Sequence, residues 1–136
     1  MTLRSVRRLL VPAIVGALFI GPFAGTAAAQ DDKVYPISEV TSPPKLSSAS
    51  QAARIIQESY PDDLRRRGVG GMVELQFIVD SKGKVDPASV EIVDATQTAL
   101  GEAAKKVASR LEFQPGKVNG NNVRTRVVLP VIYKAQ

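Results

Sequence analysis

Cysteine, histidine and tryptophan are absent from the 136 residues. Without cysteine there is neither a disulfide nor a thiolate nucleophile. Without histidine the commonest general base and transition-metal ligand are missing. Three Tyr and four Phe are all the aromatic rings available, too few for a sheet that grips single-stranded nucleic acid by stacking. No cofactor, no metal and no nucleic-acid partner are therefore expected. Stability has to come from core burial, and a length that fits one domain can bury roughly 60–70% of its unfolded surface.

Charge is also scarcer than the formal +5 suggests. Residues 1–29 hold Arg4, Arg7 and Arg8 and no acid, so the remainder carries fifteen basic and thirteen acidic residues, a net of +2. Those arginines are followed by an apolar run, broken by Pro12 and Gly16, and then by Ala27-Ala28-Ala29. A positive start, an apolar middle and a small-residue end in that order predict an export signal over residues 1–29. Membrane contact is expected only if residues 9–29 are not cleaved: they are long enough to cross a bilayer, but three glycines and two prolines make a poor anchor. Export is expected, with membrane anchoring if the segment is retained.

Residues 30–48 are polar and proline-containing without a clear period, which predicts a flexible tether of at most roughly 60 Å. The domain is expected over 49–136. Ala52, Ala53, Ile55 and Ile56 place an apolar face on a helix over 50–59, with Ser48 or Ser50 as cap. Tyr60-Pro61 interrupts it, and a short helix over 62–67 follows, acidic at its start and basic at its end. Val73, Leu75, Phe77 and Val79 alternate with polar residues as a half-buried strand over 72–80. Asp80 to Lys84 reads as a hairpin turn leading to a strand over 85–93, weakened by Pro87. Leu100, Ala103, Ala104, Val107, Ala108 and Leu111 form a helical stripe over 99–111, capped by Thr98 or Thr96. A turn at 119–122 leads to a strand over 123–133 whose odd residues are mostly apolar. The order predicts an α+β two-layer sandwich, a small antiparallel sheet of three strands with a helix packed on one face.

Groups that could carry chemistry have plainer readings. Arg65-Arg66-Arg67 suits a solvated helix end before Gly68. Asp80 and Asp86, flanked by Lys82 and Lys84, make a poor calcium loop and a good turn. Glu74, Glu91 and Glu112 lack any accompanying nucleophile or oxyanion device, so no enzyme is expected.

An ordered set of short motifs covers about residues 50–134: Tyr60-Pro61, Gly68-Val69-Gly70-Gly71-Met72-Val73, Phe77-Ile78-Val79-Asp80, Gly83 and Val85, then Leu100, Ala103-Ala104, Phe113-Gln114-Pro115-Gly116-Lys117, Gly120, Val123 and Leu129-Pro130-Val131. This run resembles the C-terminal domain of TonB-family energy transducers. The resemblance implies a non-catalytic periplasmic domain in TonB-dependent transport across the outer membrane. It implies a partner too, the TonB box of an outer-membrane receptor, taken up as an added strand. The family's full transducers have an inner-membrane anchor, a long Pro-rich spacer and a His in the N-terminal segment. Here the signal reads as cleavable and the tether as short, so a free-standing TonB-like domain is expected. The alternative is a structural module that forms a homodimer through its open sheet edge without transmitting force.

Pro130 suggests where that edge lies. Proline lacks an N–H and is confined in sheets to places where an inner neighbour does not need one. Backbone direction alternates along a strand, so the even residues of 123–133 should point away from the sheet. The expected peptide site is therefore Val123, Arg124, Thr125, Arg126, Val127 and Val128, with Arg124, Arg126 and Val128 offering free backbone groups. Tyr60 and Pro61 are added because the corresponding region lies near the receptor segment in relatives.

Overall fold

The computed structural model describes residues 32–135. In chain order these form β1 (Val34–Pro36), β2 (Lys45–Leu46), α1 (Ala49–Glu58), α2 (Asp62–Arg66), β3 (Gly71–Val79), β4 (Glu91–Ala95), α3 (Thr98–Ala108), β5 (Phe113–Gln114), β6 (Gly116–Val118) and β7 (Asn121–Tyr133). The export signal expected over residues 1–29 lies outside the described residues. Among the described residues no helix is long and apolar enough to cross a membrane.

Alternation in β3 does what the sequence requires: Val73, Leu75, Phe77 and Val79 are all buried on one face. β3 runs antiparallel between β4 and β7, from Gly71 opposite Tyr133 to Val79 opposite Thr125. The odd residues Val127, Val131 and Tyr133 of β7 join the same core. α3 covers β3 and β4 with Leu100, Ala104 and Ala108, while α1 brings Ala52, Ile55 and Ile56 against β7 and α3. The Phe77 and Phe113 rings meet at 5.6 Å between centroids. Met72, Val128 and Ile132 are left on the uncovered face of the sheet.

The α+β class is as expected, but the sheet has five strands rather than three. Both additions come from stretches without strand periodicity. β1, inside the expected tether, pairs parallel with β7, placing Val34, Tyr35 and Pro36 opposite Arg124, Thr125 and Arg126. β6 pairs with the start of β7 through Asn119 and Gly120, at φ 50° and 81°. Positive φ at both central residues is the hairpin geometry that Asn-Gly favours. Further on in the expected tether, β2 pairs with β5 and Thr41 N donates to Lys117 O at 2.7 Å. Residues 34–46 are thus built into the domain rather than strung ahead of it.

Smaller corrections follow local chemistry. The turn forms as expected, with Gly83 at φ 83° and Asp80 Oδ1 accepting from Lys82 N and Lys84 N, each at 2.9 Å. The strand expected over 85–93 is interrupted by a 3₁₀ turn at Pro87–Ser89, and Ser89 Oγ takes up Ile78 N at 2.8 Å in place of a ladder bond. β4 therefore starts at Glu91, with Val93 as the extra residue of a bulge opposite Glu74 and Leu75. Thr96 does not cap α3. Its hydroxyl accepts from Met72 N at 2.8 Å and donates to Met72 O at 3.0 Å, closing the β3–β4 pair.

Candidate functional site: the outer edge of β7

The orientation of β7 follows from its pairing. Pro130 stands opposite Glu74, so that pair exchanges no bond from the proline. By alternation Arg124, Arg126, Val128 and Ile132 share its orientation and aim their backbone groups away from β3. The expected parity is correct, but the expected vacancy at Arg124 and Arg126 is not. Gly116 of β6 faces Val123, and β1 faces residues 124–126.

Side chains reinforce this closure. Arg124 Nη1 donates to Asp32 O at 3.4 Å, while its Nη2 pairs with Asp86 Oδ2 at 3.5 Å. Thr125 is fully buried, and a Cβ on Gly116 would collide with its hydroxyl oxygen, so β6 can lie this close only as glycine. Arg126 is exposed beside Ser89 and Glu91 on the uncovered sheet face.

Beyond Arg126 the edge changes character. Among the described residues, no strand pairs with β7 on its outer side from Val127 to Tyr133. Val127 faces the core, whereas Val128 is 52% exposed and Ile132 58%. Alongside this stretch runs a groove of about 360 Å³, bounded by Leu129 to Ile132 on one side and by α1 on the other. Its α1 wall is Ala49, Ala52, Ala53 and Ile56, one helical face at i, i+3, i+4 and i+7. Alanines on that wall leave side-chain space next to unpaired backbone. An apolar stripe wider than the core needs was the available sequence signal, because Ala49 and Ala53 remain exposed.

Next to the groove lies a second pocket of about 360 Å³, sharing Gln57 and Lys134 with it and adding Arg54, Glu58, Tyr60 and Arg65. Arg65 Nη2 donates to Gln57 O at 2.9 Å and Tyr60 O at 3.4 Å, with the guanidinium 5.5 Å from the Tyr60 ring centroid.

Tyr60 and Pro61 are not brought together with residues 123–128. Tyr60 is 4% exposed, its hydroxyl donates to Val69 O at 2.7 Å, and its ring packs edge-on against Tyr133 at 5.1 Å. Pro61 stands at the start of α2. Both turn the chain, with Tyr60 also forming a wall of the second pocket. Of the carboxylates singled out in the sequence, Glu112 pairs with Lys84 at 2.7 Å, while Glu74 and Glu91 lie on the neighbouring strands β3 and β4. Among the described residues no acidic cluster could hold a metal ion.

An edge strand beside an apolar groove, on a small sheet backed by helices, defines an α+β module with an open sheet edge. The family model for the Gram-negative bacterial TonB protein C-terminal matches residues 56–135, and the chain belongs to that family. Among solved structures it is similar to the tonb2 protein from Vibrio anguillarum, at 28% identity over 57% of this chain and 73% of that one, with a TM-score of 0.44. It is also similar to the solution structure of Helicobacter pylori TonB-CTD, at 22% identity over 62% of this chain and 90% of that one, with a TM-score of 0.41. No curated protein matches the chain.

Proposed function

We propose that this domain binds an extended segment of a TonB-dependent outer-membrane receptor in the periplasm, taking it up as an added strand along residues 127–133. The observation that carries this reading is the unpaired outer edge of β7 running beside the α1 groove. An open edge offers the main-chain hydrogen bonds, and pockets for alternate side chains supply selectivity. The site expected over Val123 to Val128 thus moves toward the C-terminal end of the strand, with Val127 and Val128 common to both. The domain acts here by binding, without catalysis.

A ¹⁵N titration with a synthetic receptor peptide containing a TonB box tests this. Amide shifts should concentrate at Val128 and Ile132, and Val128→Pro, which removes an outward donor, should weaken binding about tenfold or more. Shifts confined to the 80–86 hairpin, or an unchanged affinity in Val128→Pro, would overturn it. Concentration-dependent self-association through Val128 without peptide binding would instead support a homodimer.

A further inference from the structure

The second pocket sits at the C-terminal end of the open edge, and its charge is unbalanced. Arg54, Arg65 and Lys134 supply three cations against a single carboxylate, Glu58. Glu58 is already engaged by Arg110 at 3.4 Å. Arg65 is held in place by two backbone carbonyls and the Tyr60 ring, and both bonds use Nη2. Its Nη1 and Nε are not used in those bonds; they leave from different edges of the guanidinium and each offers a single charged donor to an acceptor. Arg54 and Lys134 form no ion pair with another described residue.

Position matters as much as charge. Lys134 and Gln57 line both the apolar groove and the cationic pocket, so the two are adjacent. A strand added along β7 advances about 3.3 Å per residue with side chains alternating in face. A side chain filling the groove beside Leu129 and Val131 is therefore followed, two to four residues on, by another on the same face near Lys134.

We propose that the captured segment carries an acidic side chain at the end that reaches Lys134, and that Arg54, Arg65 and Lys134 form the subsite that selects it. This rests on strand addition along 127–133 and adds to it the chemistry of the ligand: apolar groups for the groove, then a carboxylate for the cationic pocket.

The test uses three blocked nonapeptides of alternating valine and threonine, with two aspartates at the N-terminal end, two at the C-terminal end, or two asparagines at each end. Calorimetry at low salt against the full chain should show one aspartate peptide binding about three- to tenfold tighter than the asparagine peptide, a range set by one or two partly exposed charge pairs. Which aspartate peptide wins reports the strand direction. The preference should shrink as salt is raised. It should fall to near onefold in the Arg54→Gln/Lys134→Gln double variant and persist in Arg66→Gln/Arg67→Gln, whose cations lie outside the pocket. Equal binding of all three peptides, or a preference lost only in the Arg66/Arg67 variant, would overturn the acidic subsite while leaving strand addition intact. If none of the peptides binds, strand addition itself fails, and the subsite with it.

Discussion

One strand, β7, lives in two environments. Up to Arg126 its outer side is paired by β6 and then β1, and β3 joins on the other side from Thr125, opposite Val79. From Val127 to Tyr133 it keeps β3 but, among the described residues, has no outer partner. The odd residues run on through both parts, from Val123 and Thr125 to Val131 and Tyr133, so their period does not distinguish them, although the even residues change from Arg124 and Arg126 to Val128, Pro130 and Ile132. The neighbour differs as well. The first part faces Gly116 and the chain entering at Asp32, the second faces the alanine side of α1. Edge availability is thus a property of tertiary arrangement, and a strand can be sealed against self-pairing in one part while its edge stays unpaired in the other.

The largest test asks whether the two parts share one core. Phe77 stands opposite Val127, where they meet, and is fully buried. Phe77→Ala should cost about 3–5 kcal/mol in chemical denaturation, the usual range for a buried Phe. Amides in both parts should lose exchange protection together. A cost under about 1 kcal/mol, or protection lost in one part alone, would mean the two are separately supported.

Proline scanning sharpens the contrast with a smaller effect. Arg126 aims its N–H at β1, so Arg126→Pro removes a donor from a made pair and should cost about 1 kcal/mol, beyond any loss in the side-chain control Arg126→Ala. Val128 has the same orientation but no facing strand, so Val128→Pro should stay within about 0.5 kcal/mol of the parent. Equal losses in thermal melts would show that some unrecognised partner covers Val128.

Much of this architecture is legible in the residues, and the gaps have physical causes. Val73 to Val79 and Val127 to Tyr133 declare a buried face because period two survives any context, and Pro130 gives the correct backbone parity. The partner of Arg124 is not legible. Val34-Tyr35-Pro36 is too short to show a period, and its order comes from residues about ninety positions away. Asn119-Gly120 did carry a hairpin signal, but Gly116-Lys117-Val118 offers little strand propensity to pair with it. The α1 wall of the groove reads as an ordinary apolar helix face, because an alanine stripe looks the same whether it touches a sheet or lines a groove.

The smallest effect probes the far end of the open part, where the inward face should be as tightly closed as elsewhere. Ser59 Oγ donates to Ile56 O at 2.6 Å and lies 2.8 Å from Tyr133 Oη, so the tyrosine is the donor in that pair. Burial pushes the Tyr133 phenol above its ordinary 10.0. Ser59 offsets this partly, because its hydroxyl can rotate to donate to a phenolate. A raised acid favours its neutral form in the folded state, so this contribution is complete below pH about 10 and is lost as pH climbs through the folded value. At pH 7 Tyr133→Phe should lose about 0.5–1.5 kcal/mol, the net worth of one hydrogen bond. Above pH 10 the gap should narrow, because only the parent has a buried phenol to ionise at that position. Urea denaturation of both proteins at the two pH values decides the matter. A gap that stays constant with pH would mean that solvent reaches Tyr133, and that the inward side of β7 is as open there as its outer edge.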